Sequence, residues 1–62
     1  MPRLERWSIS GVHVMGYVYN DERFSDGSFV HTSSITRIDF EEGVAKILTT
    51  RNTTYELGKR AV

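Results

Sequence analysis

The chain has 62 residues, with eight Lys and Arg against eight Asp and Glu and no cysteine. That length holds one small domain. The balanced charge excludes a strongly basic nucleic-acid binder, and the lack of thiols excludes disulfide staples and cysteine-ligated zinc. With 39% hydrophobic residues, 11% of all residues being aromatic, the composition is that of a folded chain.

Sixteen residues are Val, Ile or Thr, whose branching at Cβ suits a pleated strand and disfavours a helix. No stretch carries an apolar stripe at helical spacing, while alternation with period two recurs. A first strand is expected at about Leu4–Ser10, with Trp7 and Ile9 on one face, ending at Gly11. A second spans Val12–Tyr19, a third about Ser28–Ser33, a fourth Ile35–Phe40, a fifth Val44–Thr50 and a sixth Thr54–Leu57. Glu41-Glu42-Gly43 reads as a tight hairpin turn with Gly43 at positive φ. Arg51-Asn52 reads as another, with Asn52 tolerating the left-handed region. Asn20–Gly27 is the longest loop, closed by Asp26-Gly27 and pinned to the core by Phe24.

This pattern predicts an all-β fold: a small antiparallel meander of five to six strands, forming an SH3-like or OB-like barrel or half-barrel with no significant helix. It is read as one domain over 1–62, ordered from about residue 3 to residue 58, with Lys59-Arg60-Ala61-Val62 a fraying tail. No run is long or apolar enough for a signal peptide or membrane span, so a cytoplasmic location is expected.

The second strand is apolar on both sides. Val12, Val14 and Val18 alternate with Met15, Tyr17 and Tyr19, so a one-sided core leaves half of them uncovered. Small scaffolds without disulfides or metals need added support. A homo-oligomer, first of all a dimer, is therefore expected, with Met15, Tyr17 or Tyr19 at its interface.

Neither His13 nor His31 has partners at metal-ligand spacing. His31 lies beside Thr32-Ser33-Ser34, but adjacency in sequence does not make a catalytic pair. Asp21, Glu22 and Asp26 lack the spacing of a calcium loop and read as turn formers. Neither catalytic residues nor a metal or cofactor are predicted. Arginines among hydroxyls are a better lead, because guanidinium forks and turn amides bind phosphate or carboxylate oxygens. Arg23, Arg37 and Arg51 with Ser33, Ser34, Asn52 and Thr53 form a candidate anion site if the last hairpin folds beside the third strand. Trp7, Tyr17, Tyr19, Phe29 and Tyr55 are candidates for a stacking platform, of which Tyr17 and Tyr19 are assigned to the ligand.

The segments Gly16-Tyr17-Val18-Tyr19, Arg23-Phe24-Ser25-Asp26-Gly27, Thr32-Ser33-Ser34-Ile35 and Thr54-Tyr55-Glu56-Leu57-Gly58 follow in order. This series resembles short bacterial and bacteriophage open reading frames of no settled activity. They carry an F-x-D-G turn, a T-S-x-I strand end and a closing Y-x-L-G. The resemblance implies a small β-fold of prokaryotic or viral origin and transfers no catalytic residue.

The expected function is non-enzymatic: a homo-oligomeric protein capturing a small anionic, nucleotide-derived ligand, as a phage-type sequestering protein would. Neither long nucleic acid nor a membrane is an expected partner. The alternative is an interaction module or inhibitor that binds a macromolecule through an exposed aromatic strand face or a sheet edge.

Overall fold

The computed structural model describes residues 1–61. The strands are β1 (Arg3–Ser10), β2 (His13–Tyr19), β3 (Ser28–His31), β4 (Ile35–Glu41), β5 (Val44–Thr50) and β6 (Thr54–Leu57). The described residues contain no helix, so the all-β expectation holds.

The strands pair in the order β3-β2-β1-β6-β5-β4 as one mixed sheet. This corrects the simple meander. Two three-stranded antiparallel meanders are joined by β1 and β6, which run parallel. The short link after β3 explains the arrangement. The Thr32 N–H donates to the Val14 carbonyl (2.8 Å) and the Ile35 N–H to the Val12 carbonyl (2.7 Å), so β4 starts beside the β1–β2 turn. The second meander then builds back towards β1. No ladder joins β3 to β4 among the described residues, so the sheet is not closed into a barrel. It is nevertheless curled: the shortest molecular dimension is 20 Å, twice the layer spacing of about 10 Å at which flat sheets stack.

Three irregularities produce the curl. Register slips occur between Glu5 and Ser8, between Ile35 and Arg37, and between Asp39 and Phe40. Each extra residue twists its strand and resets which side chains face inward. Leu4 and Trp7 thus share the core although three positions apart, as do Ile35 and Ile38, and Ala45 and Leu48. In β1, Arg6 and Trp7 together oppose Gly16, and Arg6 adopts φ 49°. A Cβ at Gly16 would lie 3.1 Å from the Trp7 Cβ and 3.2 Å from the Glu5 carbonyl oxygen, so glycine is needed opposite the bulge.

The turns follow backbone preference. Glu42 (φ 53°) and Gly43 (φ 78°) form the two-residue β4–β5 connection, both left-handed as a type I′ turn requires. Gly11 (φ 62°) alone is positive in the β1–β2 turn, the type II′ pattern. Asn52 does not take the left-handed region expected of it; Asn20 does, at φ 61°. The β5–β6 connection is instead closed by Thr50, whose hydroxyl donates to the Thr53 carbonyl (3.0 Å) and accepts from the Thr53 N–H (3.1 Å).

Leu4, Trp7, Val14, Val18, Leu48, Tyr55 and Leu57 form the buried core. Val12 is not part of it: it lies in the turn and is 58% exposed. Phe24 does not pin the long loop either, being 44% exposed under the Arg23 guanidinium. Buried Asp21 holds that loop. Of the expected fraying tail, Lys59-Arg60-Ala61 is tied to β1, while Val62 lies outside the described residues. The Lys59 N–H donates to Glu5 Oε1 (2.7 Å) and the Ala61 N–H to the Trp7 carbonyl (2.8 Å). Trp7 Nε1–H also donates to the Gly58 carbonyl (3.0 Å).

Candidate functional site

The three arginines assigned to anions lie in different surroundings. Arg23 grips Asp21 with Nε on Oδ1 (3.0 Å) and Nη2 on Oδ2 (2.7 Å), and Nη2 also reaches the Tyr55 hydroxyl (3.4 Å). That guanidinium holds the Asp21 carboxyl below the usual carboxylate range, aided by the Arg23 N–H. In return Asp21 raises the Arg23 pKa further above its ordinary value. Arg37 pairs with Asp39 (2.7 Å) on the solvent face of β4. The Arg51 N–H donates to the Ser34 carbonyl (3.0 Å), and its side chain is in no ion pair among the described residues.

The candidate residues therefore separate into groups. Arg23, Asn52 and Thr53 line an open cleft of about 470 Å³ with Pro2, Asn20, Asp21 and Glu22. Ser33 and Ser34 lie in the β3–β4 link, where Ser34 meets Arg51 and the Ser33 hydroxyl is buried without a partner. Tyr17 and Tyr19 stand on the outer face of β2. The last hairpin does not pack beside β3, because the sheet order puts them in opposite halves.

The outer face of β2 and β3 carries the most concentrated exposed aromatic surface. Alternation places Met15, Tyr17 and Tyr19 outward while Val14, Gly16 and Val18 face the core. Tyr17 is directly opposite Phe29, and Met15 opposite His31. The Tyr17 and Phe29 rings are 5.1 Å apart and tilted, and the His31 ring meets Phe29 edge-on at 5.5 Å. Tyr17 is 38% and Phe29 53% exposed. On the β1 side, the Arg3 guanidinium covers the Tyr19 ring at 4.9 Å and pairs with Glu5 (2.7 Å). A shallow cleft of about 180 Å³ lined by Glu5, Arg6, Tyr17 and Tyr19 completes that side.

The histidines serve different ends. Nδ1 of His13 lies 3.0 Å from the Thr32 carbonyl, so it must carry the proton and donate; this bond fastens the start of β2 to the end of β3. His31 is exposed beside Phe29. The long-loop carboxylates shape turns: Asp21 Oδ1 accepts the Arg23 N–H (3.0 Å) and Asp26 Oδ1 the Asn20 N–H (3.0 Å). The roles of Arg3 and His31 at the rim of the aromatic face escaped sequence reasoning. Their signal was the period-two alternation carried across the β1–β2 and β2–β3 registers.

Comparison with protein-family models, curated proteins and solved structures returned no match to the chain. No helix among the described residues is long and apolar enough to cross a membrane.

Proposed function

We propose that this protein is a non-enzymatic binding module that engages a macromolecular partner through the aromatic outer face of β2 and β3. The observation that carries the reading is the exposed Tyr17–Phe29–His31 array at the edge of the sheet. Rigid aromatic rings give large contact area at small entropic cost and are favoured at the centres of interfaces. Strand β3 also leaves one backbone edge open to an added strand. Edge strand β4 is bulged and carries Arg37, Asp39 and Glu41, features that discourage such pairing, so the two edges differ in kind.

A second copy of the chain is the simplest occupant, in keeping with the homo-oligomer expected from the doubly apolar β2. Sedimentation of wild type and Phe29→Ser at micromolar concentration tests this. We expect a wild-type dimer and a folded Phe29→Ser monomer, whose melting temperature falls below that of the dimer and no longer depends on concentration. If wild type is monomeric, crosslinking to partners should localise to β2 and β3. Crosslinks confined to other faces would overturn the reading.

Capture of a small anionic ligand is the second reading, favoured by the cleft that brings Arg23, Asn52 and Thr53 together. Two of its three arginines are already neutralised by Asp21 and Asp39, which weakens it. A nucleotide that raises the melting temperature in wild type but not in Asn52→Ala would favour it.

A further inference from the structure

We propose that Arg6, Lys59 and Arg60 form an oxyanion site for a phosphoryl group, adjoining the aromatic array but independent of the partner-binding role proposed for it. These three side chains line a concave site of about 330 Å³ together with Ala61. The ion pairs among the described residues occupy Arg3, Arg23 and Arg37. None of the three cations of this site has a carboxylate at ion-pair distance among the described residues. Glu5, the sequence neighbour of Arg6, is already engaged by Arg3 Nε (2.7 Å) and by the Lys59 N–H (2.7 Å). Much of the remaining acid lies in the Asp21–Asp26 loop and the Glu41–Glu42 turn, so zero net charge conceals a local cationic excess.

The site is built by the fold and is more than a solvated surface run. Arg6 is the extra residue of the β1 bulge and holds φ 49°, a conformation that a long side chain adopts at a cost. Arg60 pairs with Trp7 through a parallel bridge, and its guanidinium lies 5.5 Å above the Trp7 ring. The backbone bonds from Trp7 to Lys59 (3.4 Å) and from Ala61 to Trp7 (2.8 Å) keep the tail against β1. Two arginines and a lysine lining one concavity supply the guanidinium and ammonium donors that suit the several oxygens of a phosphate dianion. Arg6 also lines the cleft below Tyr17 and Tyr19, so a phosphate bearing an aromatic ring has a stacking surface within the same neighbourhood.

The single tryptophan beneath Arg60 provides the readout. The full chain is titrated with pyrophosphate and with a nucleoside monophosphate, following Trp7 fluorescence and amide chemical shifts. We expect saturable binding, with shifts centred on residues 5–7 and 58–61. Raising the ionic strength should weaken it. Arg6→Gly removes the guanidinium while suiting the left-handed backbone, so it should fold and yet bind about tenfold or more weakly. Arg60→Gln should do the same, and Arg51→Gln should bind as wild type. Tighter binding of the nucleotide, lost in Tyr17→Ala, assigns the neighbouring face to its base; equal binding of both probes assigns the site to the phosphoryl group alone. Shifts reproduced by sodium chloride at matched ionic strength, or unchanged affinity in Arg6→Gly, would overturn the proposal.

Discussion

Asp21 shows how one side chain organises the long loop. Its carboxylate is buried, accepts two bonds from the Arg23 guanidinium and one from the Arg23 N–H, and through Arg23 is connected to the Tyr55 hydroxyl. Its carboxyl is held low in the folded state by Arg23. That of Glu5 is held low first by the Lys59 N–H and then by Arg3. A depressed carboxyl stabilises the fold above its unfolded pKa of about 4 and loses that contribution as pH falls through the folded value. Melting temperature should therefore drop steeply below about pH 4. Asp21→Asn should cost about 1–3 kcal/mol at neutral pH and flatten that acid limb, as thermal unfolding across pH will show. The three ion pairs among the described residues, Arg3–Glu5, Asp21–Arg23 and Arg37–Asp39, join residues two apart. In β1 and β4 that spacing puts both partners on the same face, so the neutralisation of Arg37 was readable from its neighbours. Asp21–Arg23 lies in a loop, where a turn brings the two groups together.

At the scale of elements, the six strands were legible because β-branched runs alternate between turn residues. The bulges were less so. Leu4–Trp7, Ile35–Ile38 and Ala45–Leu48 are core pairs spaced by three, which a regular strand would place on opposite faces. Apolar spacing of three inside an otherwise alternating strand is the trace such bulges leave. The type I′ turn at Glu42-Gly43 provides a test of local geometry. Glu42 takes φ 53° without the side chain suited to it, and Asn is favoured at that position. Glu42→Asn should stabilise the domain by about 0.5–1 kcal/mol, measured as a shift of the urea midpoint with unchanged slope. Gly16→Ala works in the opposite sense. Its methyl group would press on Trp7 and the Glu5 backbone, which should cost about 1–3 kcal/mol.

For the whole molecule, the decisive facts are the small core and the uneven surface. The core draws on both meanders: β1 supplies Leu4 and Trp7, β2 supplies Val14 and Val18, and β5 and β6 supply Leu48, Tyr55 and Leu57. Leu48 is fully buried. Its truncation to Ala should cost about 2–5 kcal/mol, comparable with the whole stability of a domain this small. Leu48→Ala is thus expected to be largely unfolded at room temperature by circular dichroism, and to lose both binding surfaces together. Those surfaces lie on different parts of the sheet. Aromatic rings gather at the β2–β3 edge, while cations with no ion-pair partner among the described residues gather where β1 meets the tail after β6.

By itself the sequence determined the local order of this protein: strands, most turns, a core without disulfide support, and a β2 apolar on both faces. These follow from short-range rules of branching, alternation and backbone freedom. Only the tertiary structure decided that β1 and β6 run side by side, which side chains the bulges turn inward, and that the long loop joins Arg23 to a buried Asp21. It also decided that Lys59 and Arg60 stand beside Arg6, more than fifty positions away in the chain. Such contacts depend on how two meanders meet around a shared core, and no local pattern of residues encodes that meeting.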